Sequence, residues 1–427
     1  MNNFRNLRGT VDLFPDNLIK WQNVEKVLRE QLFRSSVKEI RTPIIEMTDL
    51  FIRGIGENTD VVSKEMYSFI DRGERSCTLR PEGTASVARA VINRGIAANP
   101  MQKLWYMGPM FRYERPQAGR QRQFHQLGVE FIGYDSSRSD VEIISLAWDI
   151  LQKLGIKDLN LEINSLGDFK DRINFQQSFI KWLDFNKEFL DIDSQKRIDK
   201  NPLRILDTKN ENTLKVLEDA PKLLDFLSDA SLERYNFIKD QLKFLEIPFI
   251  ENSKLVRGLD YYTHTAFELT SGSLGSQATV CGGGRYDNLI NQMGGPITPS
   301  IGFAVGLERL MILAGEELDH GREVDIYIVN KGLMAESFAM NLSRKLRNYD
   351  LLVELDLSGA SFSKQFKKAN KLGSKSIVII GDEEASKKEF LIRLFKNKDK
   401  PEQEQTLSIN DDLGIEKWID SNLIRNL

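Results

Sequence analysis

The chain has 427 residues, which is long for a single hydrophobic core and predicts two or three domains. Apolar residues make up 41% and charged residues 28%, values typical of globular proteins rather than disordered or membrane proteins. The 59 Lys and Arg residues nearly balance the 62 Asp and Glu residues, so any contact with a polyanion must come from local basic patches.

The two cysteines, Cys77 and Cys281, lie far apart in the sequence. This argues against a disulfide scaffold or a zinc site and fits a reducing compartment. The N-terminal segment has no apolar signal-like run, and no stretch approaches the ~20 apolar residues of a membrane span. We therefore expect a cytoplasmic protein that neither enters a membrane nor binds zinc.

The first 165 or so residues alternate helical and extended patterns. Residues 16–35 place apolar side chains on one helical face after the start signal Pro15. Residues 39–45 are extended, but Pro43 cannot donate to a β-ladder, which favours a sheet edge or a subunit boundary. Residues 104–131 predict a long hairpin whose loop is rich in arginine.

The middle and the end of the chain follow different patterns. Residues from roughly 166 to 250 carry no catalytic constellation and predict an insertion of amphipathic helices, at 169–189, 213–228 and 231–245. Glycine-rich extended sequence returns at 255–295, and a helix is predicted at 303–313. Beyond a linker, strands and helices alternate as in a separate α/β domain, at 324–330, 334–347, 352–355, 362–372 and 376–380.

Five segments place Arg, Glu, Tyr or Gly residues at predicted strand ends or helix starts: 79–84, 111–114, 255–263, 281–287 and 302–310. Arg112 could bind a phosphate, with the Glu114 carboxylate beside it to orient the guanidinium. The two residues could equally form an ordinary surface ion pair. Glu82 could simply be a carboxylate favoured at a helix start, and Tyr261 and Tyr262 could be ordinary strand residues. Together, the segments indicate a single polar site.

In order along the chain, these segments resemble the signature motifs of class II aminoacyl-tRNA synthetases and the two histidine motifs of the histidyl-tRNA synthetase family. Residues 39–45 resemble motif 1, residues 111–133 motif 2 and residues 302–310 motif 3. The sequences LVRGLDYYT from Leu255 and GGGRYD from Gly282 resemble the histidine motifs, which are the specific part of the match.

The resemblance implies an α+β fold. A class II catalytic domain, an antiparallel sheet flanked by helices, is expected at 1–324 with the helical insertion at about 166–250. A C-terminal α/β anticodon-binding domain is expected at 325–427. The resemblance also implies a homodimer with Pro43 near the interface, and activation of L-histidine with ATP before its transfer to tRNA(His).

The resemblance assigns roles to individual residues. Arg112, Arg257 and Arg309 would be catalytic because they support the phosphates during attack. ATP would also contact Glu114 and Phe124, with Mg²⁺ expected alongside it. Histidine would contact Arg112 and Arg257 and a further set of residues: Glu82, Gly83, Thr84, Gln126, Glu130, Tyr261, Tyr262 and Tyr286.

Within the histidine set, Glu130 and Tyr262 would face the two imidazole nitrogens and so fix the tautomer of the bound ring. The acceptor end of tRNA(His) would meet the motif 2 loop through Arg115, Gln117, Arg120 and Arg122. His264, beside the tyrosine pair, is interpreted as an incidental strand residue. The lysines of residues 364–375 could contact tRNA phosphates or form a solvated helix face.

Two alternatives share this architecture. One is the synthetase-like regulatory subunit of ATP phosphoribosyltransferase, which binds ligand without charging tRNA. The presence of Arg112, Arg257, Arg309 and a C-terminal domain argues against it. The other is a class II synthetase for threonine, proline or glycine, which would lack the RGLDYYT sequence.

Overall fold

The structure is a computed structural model that describes residues 4–57, 59–95, 101–117, 119–199, 201–206, 208–256, 261–277, 279–321, 323–395 and 402–423. The chain divides into two compact units, residues 1–320 and 321–427. Within the described residues, no helix is long and apolar enough to cross a membrane.

Unit 1 is built on a large sheet with a small sheet beside it. The strands are β1 (Lys38–Glu39), β2 (Ile45–Met47), β3 (Tyr67–Ile70), β4 (Ser76–Leu79), β5 (Gln102–Phe111), β6 (Gln123–Ile132), β7 (Leu159–Ser165), β8 (Phe249–Glu251), β9 (Thr263–Ser271), β10 (Thr279–Arg285) and β11 (Ser300–Gly306). The large sheet has the order β1-β5-β6-β11-β10-β9-β7-β8, and the small sheet has the order β2-β4-β3.

The helices of unit 1 are α1 (Pro15–Arg34), α2 (Thr48–Ile55), α3 (Thr84–Asn93), α4 (Ser137–Lys153), α5 (Phe169–Phe185), α6 (Ile192–Arg197), α7 (Glu211–Val216), α8 (Asp229–Phe244), α9 (Leu289–Gln292) and α10 (Leu307–Leu313). The large sheet is antiparallel except for the pairs β1–β5 and β7–β8. An antiparallel sheet flanked by helices, as the family resemblance implied, is therefore confirmed.

Alternation along β6 separates the hydrophobic core from a cleft. Leu127, Val129 and Phe131 join the apolar cluster formed with α1, α4 and α8. Gln126 and Glu130, at the intervening positions, line the cleft on the other face. Because successive strand side chains point to opposite faces, a single stretch of sequence supplies both the core and the polar site.

Two predicted helices of unit 1 were wrong in extent. The helix expected at 303–313 begins only at Leu307, because residues 300–306 form β11, which pairs with β6 and β10 on its two sides. The helix expected at 213–228 is broken into α7 and short 3₁₀ turns. Pro221 explains the break because a proline disfavours helical backbone at the residue before it, and Ala220 is extended.

Unit 2 is an α/β sheet of five strands in the order β13-β12-β14-β15-β16. Its elements are β12 (Ile326–Lys331), α11 (Leu333–Arg347), β13 (Val353–Leu355), α12 (Phe362–Lys371), β14 (Ser376–Gly381), α13 (Asp382–Lys387), β15 (Glu389–Leu394), β16 (Gln403–Ser408) and α14 (Asp412–Asn422). The predicted alternation is confirmed from β12 to β14, which are parallel. The antiparallel strands β15 and β16 were not predicted.

Candidate active site

A cleft of about 420 Å³ opens on the face of the large sheet opposite the core formed with α1, α4 and α8. Its lining includes most of the residues that the sequence assigned to histidine and ATP: Glu82, Thr84, Arg112, Glu114, Phe124, Gln126, Glu130, Tyr261, Tyr262, Tyr286 and Arg309. Side chains separated by more than 200 residues in sequence therefore share one cavity. Arg257 lies outside the described residues.

Glu130 is the most deeply buried acid of the cleft, with 2% of its surface exposed. One carboxylate oxygen accepts a hydrogen bond of 2.7 Å from the Thr84 hydroxyl, and the other accepts one from the Tyr286 hydroxyl. Burial raises the pKa of Glu130 to about 8, although the two hydroxyl donors act to lower it. The site thus holds a carboxyl group that keeps its proton at neutral pH, where an ordinary glutamate would be ionised.

The backbone leaves room for Glu130 only because Gly302 faces it. A Cβ on Gly302 would stand 2.0 Å from Glu130 Oε2 and 2.5 Å from the carbonyl oxygen of Val129. On β6, a Cβ on Gly128 would meet the ring of Tyr106 at 2.1 Å. These two glycines therefore allow a buried carboxylate and a buried aromatic ring to lie flat against the strands.

Glu82 stands at the start of α3. Its carboxylate accepts the backbone N–H of Thr84 at 2.7 Å and that of Ala85 at 2.8 Å. Burial raises its pKa, and the same backbone donors act to lower it. The two interpretations of Glu82 are therefore compatible, because the carboxylate satisfies the helix start and also lines the cleft. Gly83 packs under the Tyr106 ring.

Three tyrosines form one wall of the cleft. The ring centroid of Tyr261 lies 4.7 Å from that of Tyr262 and 5.7 Å from that of Tyr286. All three are buried, and burial raises the pKa of Tyr261 and of Tyr286 well above the ordinary value. The phenols of Tyr261 and Tyr286 are therefore neutral, and they can donate hydrogen bonds to a ligand or to Glu130.

The cationic side of the cleft is formed by two arginines. Arg112 donates from Nε to the carbonyl oxygen of Pro81 at 2.8 Å, and its guanidinium carbon lies 5.4 Å from the Phe124 ring centroid. Glu114 stands 3.8 Å from Arg112 Nη1. Arg309 donates to the carbonyl oxygen of Thr279, and burial together with the nearby charge of Arg120 lowers its pKa.

The residues predicted to meet tRNA are distributed differently. Arg120 lines the cleft and pairs with Glu114 at 3.4 Å, whereas Arg115 and Gln117 are exposed on the loop. Arg122 stacks its guanidinium 3.8 Å from the Tyr113 ring centroid and donates to the carbonyl oxygen of Glu114. Arg122 therefore also shapes the loop itself.

Several lining residues were not found from sequence: Asp60, Glu65, Arg204, Glu268 and Glu308. Glu65 closes a π-helical turn at residues 61–65, and Arg204 lies within the segment predicted to be a helical insertion, where no catalytic constellation was recognised. No local pattern marks these residues. Among the described residues, no cluster of three His, Cys, Asp or Glu side chains is arranged to hold a metal ion.

The GGGRYD sequence is divided between the two sides of the sheet. Tyr286 enters the cleft, whereas Arg285 is fully buried against α4, where it bonds Asp140 at 2.5 Å and Ser139 at 2.9 Å. Burial alone would lower the pKa of Arg285, but the Asp140 carboxylate raises it. Arg285 thus anchors β10 to α4. His264 lies outside the cleft lining, at a positive φ of 47°.

Known proteins match this chain along almost its whole length. The histidyl-tRNA synthetase family model matches residues 9–310, and an anticodon binding domain model matches residues 323–413. The histidine–tRNA ligase of Prochlorococcus marinus subsp. pastoris is 76% identical over 424 residues, which cover 99% of each chain. That of Synechococcus sp. is 56% identical and covers 90% of this chain and 93% of the relative.

Solved structures agree with these matches. Apo histidyl-tRNA synthetase of S. aureus is 35% identical, has a TM-score of 0.80 and covers 97% of this chain and 99% of its own. An ATP phosphoribosyltransferase regulatory subunit/histidyl-tRNA synthetase from Bacillus halodurans, at 20% identity and a TM-score of 0.64, shares the fold alone. On the family model and the full-length relatives, the chain belongs to the histidyl-tRNA synthetase family.

Proposed function

We propose that the cleft of unit 1 activates histidine with ATP through the residues that line it. The chain's reaction is the ATP-dependent ligation of histidine to tRNA: histidine and ATP form histidyl-adenylate and diphosphate, and histidine then passes to the 3′ end of tRNA(His) with release of AMP. Its full-length relatives carry the ligase name, which supports this function over that of the regulatory subunit.

The observation that carries the site assignment is the buried Glu130 carboxyl, held by Thr84 and Tyr286. In the proposed complex, Glu130 accepts the N–H of one imidazole nitrogen, and the Tyr262 phenol faces the other nitrogen. A ligand without both nitrogens would leave buried polar groups unpaired. A site of this kind rejects such a ligand by ~10⁴-fold or more. This arrangement supports histidine as the amino acid that the cleft accepts.

The α-ammonium group of histidine would lie among Glu82, Thr84 and Gln126. The side-chain oxygen of Gln126 is buried and has no hydrogen-bond partner among the described residues. A buried acceptor without a partner is costly, so a donor from the ligand would stabilise it. Glu82 would add a negative charge beside the ammonium group, and Tyr261 and Tyr286 would enclose the ring.

ATP would bind at the arginine side of the cleft. Phe124 would stack on adenine, Arg112 and Glu114 would hold the α-phosphate region, and Arg309 would hold the outer phosphates. Attack by the histidine carboxylate builds negative charge on an already anionic α-phosphate, and fixed guanidinium groups offset it without reorganisation. Arg257 would support the same charge from the opposite side. Mg²⁺ would enter with ATP.

tRNA(His) would contact both units. The motif 2 loop, with Arg115, Gln117, Arg120 and Arg122, would meet the acceptor end. We assign residues 1–324 to the catalytic domain, with its helical insertion at about 166–250, and residues 325–427 to the anticodon-binding domain. The match of the anticodon binding domain model to residues 323–413 supports this division.

A homodimer is proposed from the small sheet. It exposes apolar side chains on one of its faces: Ile45 and Met47 on β2 and Phe69 on β3, between 43% and 51% exposed. A contiguous apolar surface of this kind favours burial against another copy. Pro43 lies beside it, as expected for a motif 1 interface. Because tRNA charging serves translation, we place the protein in the cytoplasm.

The decisive experiment is pyrophosphate exchange with each amino acid in turn, followed by charging of total tRNA with labelled histidine. Exchange should depend on histidine, and tRNA(His) should accept the label. Exchange driven by proline, threonine or glycine would contradict the proposed pocket. Histidine binding without any exchange would instead indicate a regulatory protein.

A further inference from the structure

Arg80 is buried directly before the histidine-site residues, and the proposed function gives it no role. Only 5% of its surface is exposed. It follows β4 and precedes Pro81 and Glu82. Among the described residues it forms no salt bridge, and its guanidinium bonds only neutral oxygen atoms. A desolvated cation with neutral partners is costly, which suggests that Arg80 has a specific role.

One set of Arg80 bonds reaches the motif 1 segment. Nη1 donates to the carbonyl oxygen of Thr42 at 3.0 Å and to its hydroxyl oxygen at 3.1 Å. The backbone N–H of Arg80 donates to the carbonyl oxygen of Ile44 at 2.9 Å. Arg80 therefore holds residues 42–44, which adjoin the apolar surface proposed for the dimer.

A second set of bonds reaches the end of β5. Nε donates to the carbonyl oxygen of Pro109 at 3.0 Å, and the carbonyl oxygen of Arg80 accepts the backbone N–H of Phe111 at 3.0 Å. Gly108 makes the approach possible, because a Cβ there would lie 2.8 Å from Arg80 Nη2. The guanidinium thus bridges two segments of the chain, because its rigid planar group can donate hydrogen bonds in two directions at the same time.

The contacts converge on Arg112. Arg112 follows Phe111, which Arg80 bonds, and its Nε donates to the carbonyl oxygen of Pro81, which follows Arg80. We propose that Arg80 is a positioning residue for activation: it locks the 80–81 backbone between residues 42–44 and β5, and so aims the Arg112 guanidinium at the α-phosphate. This inference rests on the proposed role of Arg112.

The test is Arg80→Lys, which keeps the charge but loses the fork. We expect the single-turnover rate of adenylate formation to fall by about 10-fold or more, because small misplacements of a catalytic group carry losses up to about 10²-fold. The dissociation constant of histidine without ATP should change less than about 3-fold. A wild-type rate, or equal losses of rate and histidine affinity, would overturn the proposal.

Arg89→Lys is the matched control. Arg89 is a partly buried arginine on α3 that pairs with Glu46 on β2 at 2.8 Å and lies outside the cleft lining, and the charge of Glu46 also acts on Arg80. It should leave both the rate and the histidine affinity unchanged. Loss of rate in this variant equal to that in Arg80→Lys would mean that any weakening of the region slows the reaction, which would also overturn the positioning role.

A double variant separates positioning from general damage. In an Arg112→Ala background, Arg80→Lys should slow adenylate formation by less than about 2-fold, since residues that act as one unit are not additive. A full additional loss would exclude action through Arg112.

Thr42→Val is the alternative variant if Arg80→Lys does not fold. It removes the hydroxyl that accepts a bond from Arg80 and should slow adenylate formation about 2- to 5-fold, and an unchanged rate would overturn the proposal. Absence of histidine-dependent exchange in the wild type would refute the proposed function itself.

Discussion

Glu130 shows how one side chain can depend on four parts of the chain. Thr84 from α3, Tyr286 after β10 and Gly302 from β11 surround a carboxyl group that β6 presents. Its raised pKa follows mainly from burial. Burying a carboxyl group destabilises the fold unless a ligand or a donor forms hydrogen bonds with it. Glu130 is therefore the residue at which the histidine hypothesis is most directly testable.

Replacing Glu130 with glutamine tests its role as acceptor. The amide keeps the size but replaces one acceptor oxygen with an NH₂ donor, so kcat/KM for histidine in pyrophosphate exchange should fall by about 10- to 100-fold, or ~1.5–3 kcal/mol. The KM for ATP should stay unchanged. Glu142→Gln on the exposed face of α4 is the matched control and should behave as wild type. Equal damage to ATP and histidine kinetics would argue against a specific contact.

The pKa of Glu130 also predicts how stability depends on pH. A carboxyl whose pKa is raised to about 8 by burial binds a proton more tightly in the folded than in the unfolded chain. Its stabilising contribution is full below the ordinary carboxyl pKa and is lost as pH rises through about 8. Urea unfolding of the ligand-free protein from pH 5 to 8.5 should therefore show wild type losing stability relative to Glu130→Gln. A parallel pH dependence in both proteins would contradict the raised pKa.

At the scale of elements, the shape of the cleft depends on the close packing around β6 and β11, which leaves no space for a side chain at position 302. Gly302→Ala on β11 would place a Cβ within 2.5 Å of the Val129 carbonyl oxygen, a backbone atom that cannot move freely. Histidine activation should fall by about 10-fold or more, and the midpoint of thermal unfolding should drop. Gly272→Ala, where a Cβ would meet nothing within 4 Å, is the control. Normal activation by Gly302→Ala would show that β11 can shift without harm to the pocket.

Helix α12 of unit 2 carries the clearest candidate for contact with tRNA phosphates. Lys364, Lys367 and Lys371 are exposed at helical spacing on one face, whereas Lys368 and Lys375 stand near Asp356 and Asp325. Changing the three exposed lysines to glutamine should raise the KM for tRNA and reduce its salt dependence, with histidine activation intact. Lys387→Gln in the same unit is the control. An unchanged KM for tRNA would favour a merely solvated helix face.

At the scale of the whole molecule, the apolar surface of the small sheet predicts self-association. Ile45→Asp combined with Phe69→Asp should convert a dimer into monomers in light scattering, because two charges would be buried in the interface. Both side chains are exposed in the single chain, at 51% and 43%, so the fold should remain intact by circular dichroism. A wild type that is monomeric at micromolar concentration would contradict the dimer.

Local sequence determined most of the elements and the chemistry of the site. The period-two pattern of β6 assigns Gln126 and Glu130 to one face and Leu127 and Val129 to the other, and the alternation from β12 to β14 predicts the second unit. These signals are local because strand side chains alternate and parallel strands require crossover helices. Arg112 and the histidine motifs could also be recognised from the sequence, because each motif is a contiguous stretch of only a few residues.

Tertiary structure decided what depends on distant partners. Residues 300–306 became a strand because β6 and β10 pair with both of their edges, although the apolar run from Phe303 was also compatible with a helix. Asp60, Glu65 and Arg204 reached the cleft from segments without a motif. Arg285 and Tyr286 are adjacent, yet one is buried against α4 and the other lines the cleft. Long-range pairing and burial are properties of the assembled sheet, and no short stretch of sequence encodes them.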